Sequence, residues 1–293
     1  MISIDTSKIL YFDLKSTVLS HGWVHLKPFH WDNARQELKV SVPVKGEYIS
    51  GTILQEKGNK RVLFLTTVKT SCLQKKSLTK ALRRMLSLDQ DLEGLIKTCA
   101  RNGSRRFLSL IHRGWGRILR CSTPWEDAVK TICTTNASWP YTQQMCENLC
   151  VKLGENAGFP MPNQIVTAGN NFLRKKVVLG YRSEYVFELA KKILERKINL
   201  ESLEFGKCEK EYADEKVRGV KGLGPYGANH MLVLLGWHSF LPVDREVMKF
   251  LKIVPLLHGR CPKEVRHYLK YGDYRFIAYK LDRILHRKNW IGD

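Results

Sequence analysis

Two features of this sequence can do chemistry together. One is the run Gly222-Leu223-Gly224, which separates two apolar helical patterns and is followed by Pro225. Two glycines in a tight turn let backbone N–H groups approach a phosphate closely, because no Cβ stands in the way. A helix starting at Pro225 adds the positive end of a dipole at the same place. The other feature is Asp244, a lone carboxylate after Leu241-Pro242-Val243 and at the start of a further helix. A fixed carboxylate can stabilise positive charge that develops beside it, and it can orient or deprotonate water. The plainer reading of Asp244 is an N-cap, and the two roles are compatible. A turn that grips DNA, followed by a placed acid, points to chemistry on DNA and not to binding alone.

These residues need a helical frame. One amphipathic run ends at Val220 and a second apolar helix runs from Pro225 to about Leu235, which makes residues 213-236 a helix-hairpin-helix and 241-246 the loop carrying the acid. Upstream, LKVSVPV (Leu38 to Val44) alternates apolar and polar residues, and GEYISGTIL and RVLFLTTV are further strand-like runs. From about Leu73 the spacing becomes helical, through SLTKALRRMLSL, DLEGLIKTCARN, Asp127 to Cys133, Tyr141 to Leu153 and Tyr185 to Ile193, with a Gly/Pro/Asn-rich loop at Gly154 to Pro162. The expected fold class is α+β: a small N-terminal antiparallel β-sheet domain over residues 1-72, then a mostly helical body over 73-293.

The chain has 293 residues, enough for a large core, and a formal net charge of +21. That charge favours a polyanionic partner, nucleic acid before a membrane surface. No apolar run reaches the length of a membrane span. The N-terminus, MISIDTSKILYFDLKS, lacks the basic region and cleavage site of a secretory signal. The expectation is a soluble intracellular monomer with no obligate protein partner, in the nucleus of a eukaryote or the cytoplasm and nucleoid of a bacterium. The cysteines, Cys72, Cys99, Cys121, Cys133, Cys146, Cys150, Cys208 and Cys261, are scattered; only Cys146 and Cys150 share a helix face. They form no paired zinc knuckle, so no metal is expected.

Gly222, Gly224, Ala228 and Pro242-Val243-Asp244 together resemble the helix-hairpin-helix and Gly/Pro-Asp signature of base-excision DNA glycosylases, a superfamily that includes endonuclease III, 8-oxoguanine glycosylase and 3-methyladenine glycosylase II. Pro124-Trp125-Glu126, the run Thr131 to Asn136, and Leu179 to Val186 are also similar to stretches of 8-oxoguanine glycosylase, so the likeness spans about residues 115 to 255. It implies a two-lobed helical body, a double-stranded DNA partner carrying a damaged base, and base flipping. It makes Asp244 the catalytic carboxylate and gives phosphate contacts to Gly222, Gly224, Tyr226, Gly227, Lys221 and Arg245. Some relatives hold an iron–sulfur cluster through four cysteines downstream of the acid. Only Cys261 lies downstream here, so no cluster or other cofactor is expected.

Tyr226 departs from the pattern. Lyase-competent relatives carry a lysine at this hairpin position, which forms an imine with the sugar. Tyrosine cannot, and the expectation is a monofunctional glycosylase acting on an alkylated or oxidised purine with water as nucleophile. Lys221 is assigned to a phosphate and Lys249 to a solvated or phosphate-facing surface; either is the candidate for a displaced lyase amine. A lesion-recognition protein without catalysis is the alternative from another class. Asn136 either fills the gap left by an extruded base or caps a helix. Trp139 and Tyr141 stack on bases or belong to the core, and His230 lines the base pocket or packs. Tyr181 and Arg182 line the pocket or hold backbone. Glu246 stands near where 8-oxoguanine glycosylase has histidine, which weakens direct transfer of that specificity. The segments HGWVHLKPFHWD, with Trp23, Phe29 and Trp31, and HYLKYGDYRFIAYK, ending at Lys280, supply either pocket walls or core; the core reading is preferred for the first.

Overall fold

The computed structural model describes residues 1–56, 58, 60–251 and 266–286. Cys261 lies outside the described residues. Five strands, β1 (Ile2–Asp5), β2 (His30–Asp32), β3 (Glu37–Val44), β4 (Glu47–Glu56) and β5 (Arg61–Leu65), form one antiparallel sheet in the order β1-β5-β4-β3-β2. The β3–β4 hairpin closes with Val44 opposite Glu47. Its two turn residues, Lys45 and Gly46, have φ of 51° and 87°, the left-handed backbone that matches the twist of paired strands. Leu38, Val40, Val42 and Val44 alternate onto the buried side of β3.

The rest is helical: α1 (Leu14–Leu19), α2 (Cys72–Met85), α3 (Leu92–Arg101), α4 (Arg105–His112), α5 (Pro124–Thr134), α6 (Trp139–Lys152), α7 (Pro162–Lys175), α8 (Arg182–Leu194), α9 (Lys210–Arg218), α10 (Pro225–Leu234), α11 (Arg245–Phe250) and α12 (Arg275–His286). None is long and apolar enough to cross a membrane. Ser71 and Gln74 close a capping box at the start of α2, whose Leu78, Leu82 and Met85 pack under the sheet. The sheet shares one core with α2, α5, α8 and α10, so strands and helices are a single packed body there. A second core joins α3, α4 and α12, and Val233 of α10 belongs to it. The helix α10 therefore has both lobes on its flanks.

The α+β architecture agrees with the sequence. Three helices have no counterpart in its periodicity: α1, which lies inside the stretch expected to be sheet, α4 and α7. The helix α7 is broken at Gly169, φ 78°, and carries two adjacent asparagines, so its pattern is interrupted.

At the centre of the larger core, α5 is buried on nearly every side. Lys130 is fully buried, and its ammonium meets Glu126 at 2.7 Å and lies 4.6 Å from the centre of the Phe29 ring. A buried ammonium persists only with such partners.

Candidate active site

The chain leaves α9 at Arg218 and turns before α10 begins at Pro225. Val220 and Leu223 anchor the turn: both are buried, and the Leu223 N–H donates to the Val220 carbonyl at 3.1 Å. Gly222 has φ 93°, and a Cβ there would stand 2.6 Å from the Tyr185 ring, so only glycine fits. Gly224 differs. Its φ is −67°, it is exposed, and nothing lies within 4 Å of where its Cβ would be. The free protein does not require glycine there, whereas close approach of a ligand to this backbone would. Gly224 caps α10 without a side chain and Pro225 has no N–H, so the Tyr226 and Gly227 N–H groups stand at the open helix end. Gly227 itself is buried against Leu223.

Asp244 caps α11, accepting the Val247 N–H at 2.7 Å. The cap does not withdraw it from solvent chemistry. It lines a cavity of about 170 Å³ with Ser20, His21, Tyr226, His230 and Lys280. Burial and the Asp244 carboxylate together hold the Tyr226 phenol well above its ordinary range, so it stays protonated.

The facing wall comes from the N-terminal segment. The Nε2 atoms of His21 and His230 lie 3.0 Å apart, so one ring donates to the other. Burial pushes His21 well below the ordinary imidazole range and His230 down to about 4, and the Lys280 ammonium adds to both shifts. Both rings are neutral near pH 7. His230 also stacks on Tyr226, with ring centres 5.7 Å apart, and meets Trp23 edge-on at 5.1 Å. Trp23 is buried behind the pair and donates its indole N–H to Asp127 at 2.8 Å. Asp127 pairs with Arg84 at 2.8 Å, and Arg84 with Glu204 at 2.6 Å. A buried charge chain thus braces the wall.

The other singled-out residues fall in several places. Arg245 is exposed on the first turn of α11, and Glu246 borders the cavity. Lys221 is exposed and paired with Glu184 and Glu188 of α8 at 2.7 and 3.2 Å. Lys249 lies with Phe250 and His286, apart from the Asp244 cavity. Asn136 is exposed at φ 48° in the loop between α5 and α6, and the cap of α6 is Ser138, so Asn136 is not a helix cap. Arg182 is buried and donates to the Thr135 and Asn136 carbonyls, which makes it the clamp of that loop; Tyr181 is exposed beside it. Trp139 is 40% exposed, close to Gly22 and outside the cavity lining. Tyr141 packs against the core and donates to the Val178 carbonyl at 2.7 Å. Phe29 and Trp31 also belong to the core or its edge.

The residues missed as individuals are His21 and Lys280. Each sits in a segment flagged for its aromatic content, but nothing in the local pattern separates these two from their neighbours. Among the described residues no His, Cys, Asp and Glu side chains group as metal ligands.

No protein-family model matches the chain. Its sequence is 24% identical over 271 residues to the N-glycosylase/DNA lyase of Saccharomyces cerevisiae, covering 86% of this chain and 69% of that protein. The 3-methyladenine DNA glycosylase of Archaeoglobus fulgidus superposes with a TM-score of 0.74 at 18% identity, covering 98% of this chain and 100% of that one. The Clostridium acetobutylicum 8-oxoguanine glycosylase/lyase, in complex with double-stranded DNA containing cytosine opposite 8-oxoguanine, gives 0.69 at 17% identity, over 95% and 93% of the two chains. The chain therefore has the fold of helix-hairpin-helix DNA glycosylases, and the resemblance carried by Gly222, Gly224 and Pro242-Val243-Asp244 extends to the whole architecture.

Proposed function

We propose that this protein is a DNA glycosylase that extrudes a damaged purine from double-stranded DNA and hydrolyses its bond to deoxyribose. The observation that carries this reading is Asp244, fixed by its own helix cap and facing a cavity beside a two-glycine hairpin. The hairpin N–H groups hold a backbone phosphate, Asn136 on its clamped loop fills the gap in the duplex, and Asp244 stabilises the oxocarbenium-like sugar. Trp139, the first residue of α6 beyond that loop, supports the opened duplex. Arg245 and Lys221 add exposed positive charge, Lys221 by exchanging its surface carboxylates for phosphate. The protein acts as a monomer, without a cofactor.

Water is the nucleophile in this reading, because the hairpin position offers a phenol and not an amine. A second reading is a bifunctional glycosylase/lyase, favoured by the presence of Lys280 in the cavity. Lys221 and Lys249, the amines singled out by sequence, support it less, since neither lines that cavity.

Single-turnover base release from duplexes carrying alkylated and oxidised purines tests the reading, with wild type beside Asp244→Asn. Release that collapses in the variant is expected. Tight lesion binding with no release would favour a recognition protein. Borohydride trapping on abasic DNA separates the two catalytic readings, since only an imine is trapped.

A further inference from the structure

We infer that the protein has a second ligand site, at the opposite end of α10 from the Asp244 cavity, that takes a nucleoside monophosphate. This goes beyond the glycosylase reading and does not rest on it. A cavity of about 760 Å³, within the range that holds a drug-sized ligand, is lined by α2, the segment leading into α5, residues 201–210 and the chain beyond α10. It shares no lining residue with the Asp244 cavity. Tyr226 and His230 of α10 line the first cavity, and Leu235 and Gly236, just past its last residue, line the second. Gly236, at φ 102°, turns the chain at the helix end, so that Trp237 and His238 follow into the same wall.

Arg120 and His238 carry the inference, and both line this cavity. The Arg120 Nε donates to the Arg84 carbonyl at 3.0 Å and its Nη1 to the Leu234 carbonyl at 3.4 Å. Carbonyls at a helix end supply only partial negative charge. The neighbouring carboxylates are taken: Asp127 pairs with Arg84, and Glu204 with Arg84 and Lys207. Among the described residues no carboxylate pairs with Arg120. Burial, and then the Arg84 charge, hold its guanidinium down to about 10, so it is still a cation near pH 7. His238 is 9% exposed, and its ring has no hydrogen-bond partner among the described residues. Burial, and then the Arg120 charge, hold that imidazole down to about 3. A cation without a counter-charge beside an imidazole without a partner is completed by an anion, which accepts a hydrogen bond from each.

The rest of the lining fits what a phosphate would carry. Phe205 is exposed and meets Trp237 edge-on at 5.0 Å, and Pro43 and Pro124 extend this apolar surface, which suits a planar ring. Glu201 and Asp273 also line the cavity and have no ion-pair partner among the described residues. They are acceptors for the amino and hydroxyl donors of a base and sugar. A bare phosphate would leave the ring surface and both carboxylates unused.

The test is calorimetric titration of the full chain, without DNA, with each of the common nucleoside 5′-monophosphates, the matching nucleosides and inorganic phosphate. At least one monophosphate should bind at one site, about tenfold or more tighter than its nucleoside and than phosphate. Arg120→Met and His238→Leu should each weaken it by about tenfold or more, whereas Asp244→Asn should leave it unchanged. Histidine-ring NMR of wild type gives a second readout, which serves if Arg120→Met does not fold. The resonance missing from His238→Leu should move with added nucleotide while those of His21 and His230 stay in place. Saturable binding by none of the monophosphates, affinity unchanged in both variants, or shifts confined to His21 and His230 overturns the site. Phosphate binding as tightly as every nucleotide overturns the ligand class.

Discussion

The ring of Tyr185 occupies the space that a side chain on Gly222 would need: a Cβ at Gly222 would stand 2.6 Å from it, at a φ of 93°. Gly224, two residues on, has open space and an ordinary φ. The two glycines of the hairpin therefore answer to different constraints. Gly222→Ala is expected to lower stability by about 1–3 kcal/mol, read as a fall in melting temperature. Gly224→Ala should stay within about 0.5 kcal/mol of wild type yet bind duplex DNA more weakly. Unchanged DNA affinity in Gly224→Ala would argue against the hairpin as a phosphate grip.

Asp244→Asn isolates the charge of the carboxylate from its structural role. Asparagine is as good an N-cap as aspartate, so the Val247 hydrogen bond and the melting temperature should be kept. Base release should fall by about 100-fold or more, as for loss of other electrostatic stabilisers of a transition state. A large stability loss accompanying the rate loss would mean that the cap, and not the charge, had been measured.

Acid should loosen the protein through its buried histidines. His230 is held down to about 4 and His238 to about 3, in both cases chiefly by burial. The unfolded chain binds these protons near pH 6.5, so stability is full above that pH. It is lost as pH falls toward the folded values. At pH 5 the loss is roughly 2 kcal/mol for each group. Melting curves at pH 7.5 and 5 should show it, and His238→Gln should reduce the difference; a pH-independent melting temperature would contradict the buried neutral state.

The Glu126–Lys130 pair should be costly to break from one side only. Glu126→Gln leaves the fully buried Lys130 without its counter-charge and should destabilise by about 3–5 kcal/mol. Replacing both, with Glu126→Leu and Lys130→Met, should recover most of that loss. A double-mutant cycle in denaturant measures the coupling, and additive losses would show that the pair contributes nothing as a pair.

The parts of the site legible in the sequence are those whose residues are close along the chain. The hairpin glycines, Pro225 and Asp244 fall within one stretch, and their types restrict what each can do. The alternation in β3 is equally local. Asn136 shows where this stops: the sequence permits it as a cap, and only the backbone assigns that role to Ser138. The run Leu179 to Val186 is visible in the sequence, but that Arg182 clamps the Thr135 and Asn136 carbonyls depends on how α8 docks beside α5. His21 reaches its partner across 209 positions, and Lys280 faces the cavity through the rotational setting of α12 against α10 and α11. Periodicity determines that a helix has a buried face, but not which polar residue at its margin meets a distant wall.

The contact between His21 and His230 couples assembly of the cavity to completion of the chain. The hairpin from Val217 to Gly224 closes through neighbours in sequence, whereas the cavity exists only once the N-terminal segment has docked on α10. On the proposed reading, gripping and reading thus rest on different segments of the chain. On that reading the variant His21→Ala, which leaves the hairpin residues in place, is expected to occupy DNA while discriminating less between one base and another, and so to act as a competitor of the intact protein. Footprinting of that variant beside wild type on lesion-bearing duplexes would reveal whether occupancy and discrimination separate in this way.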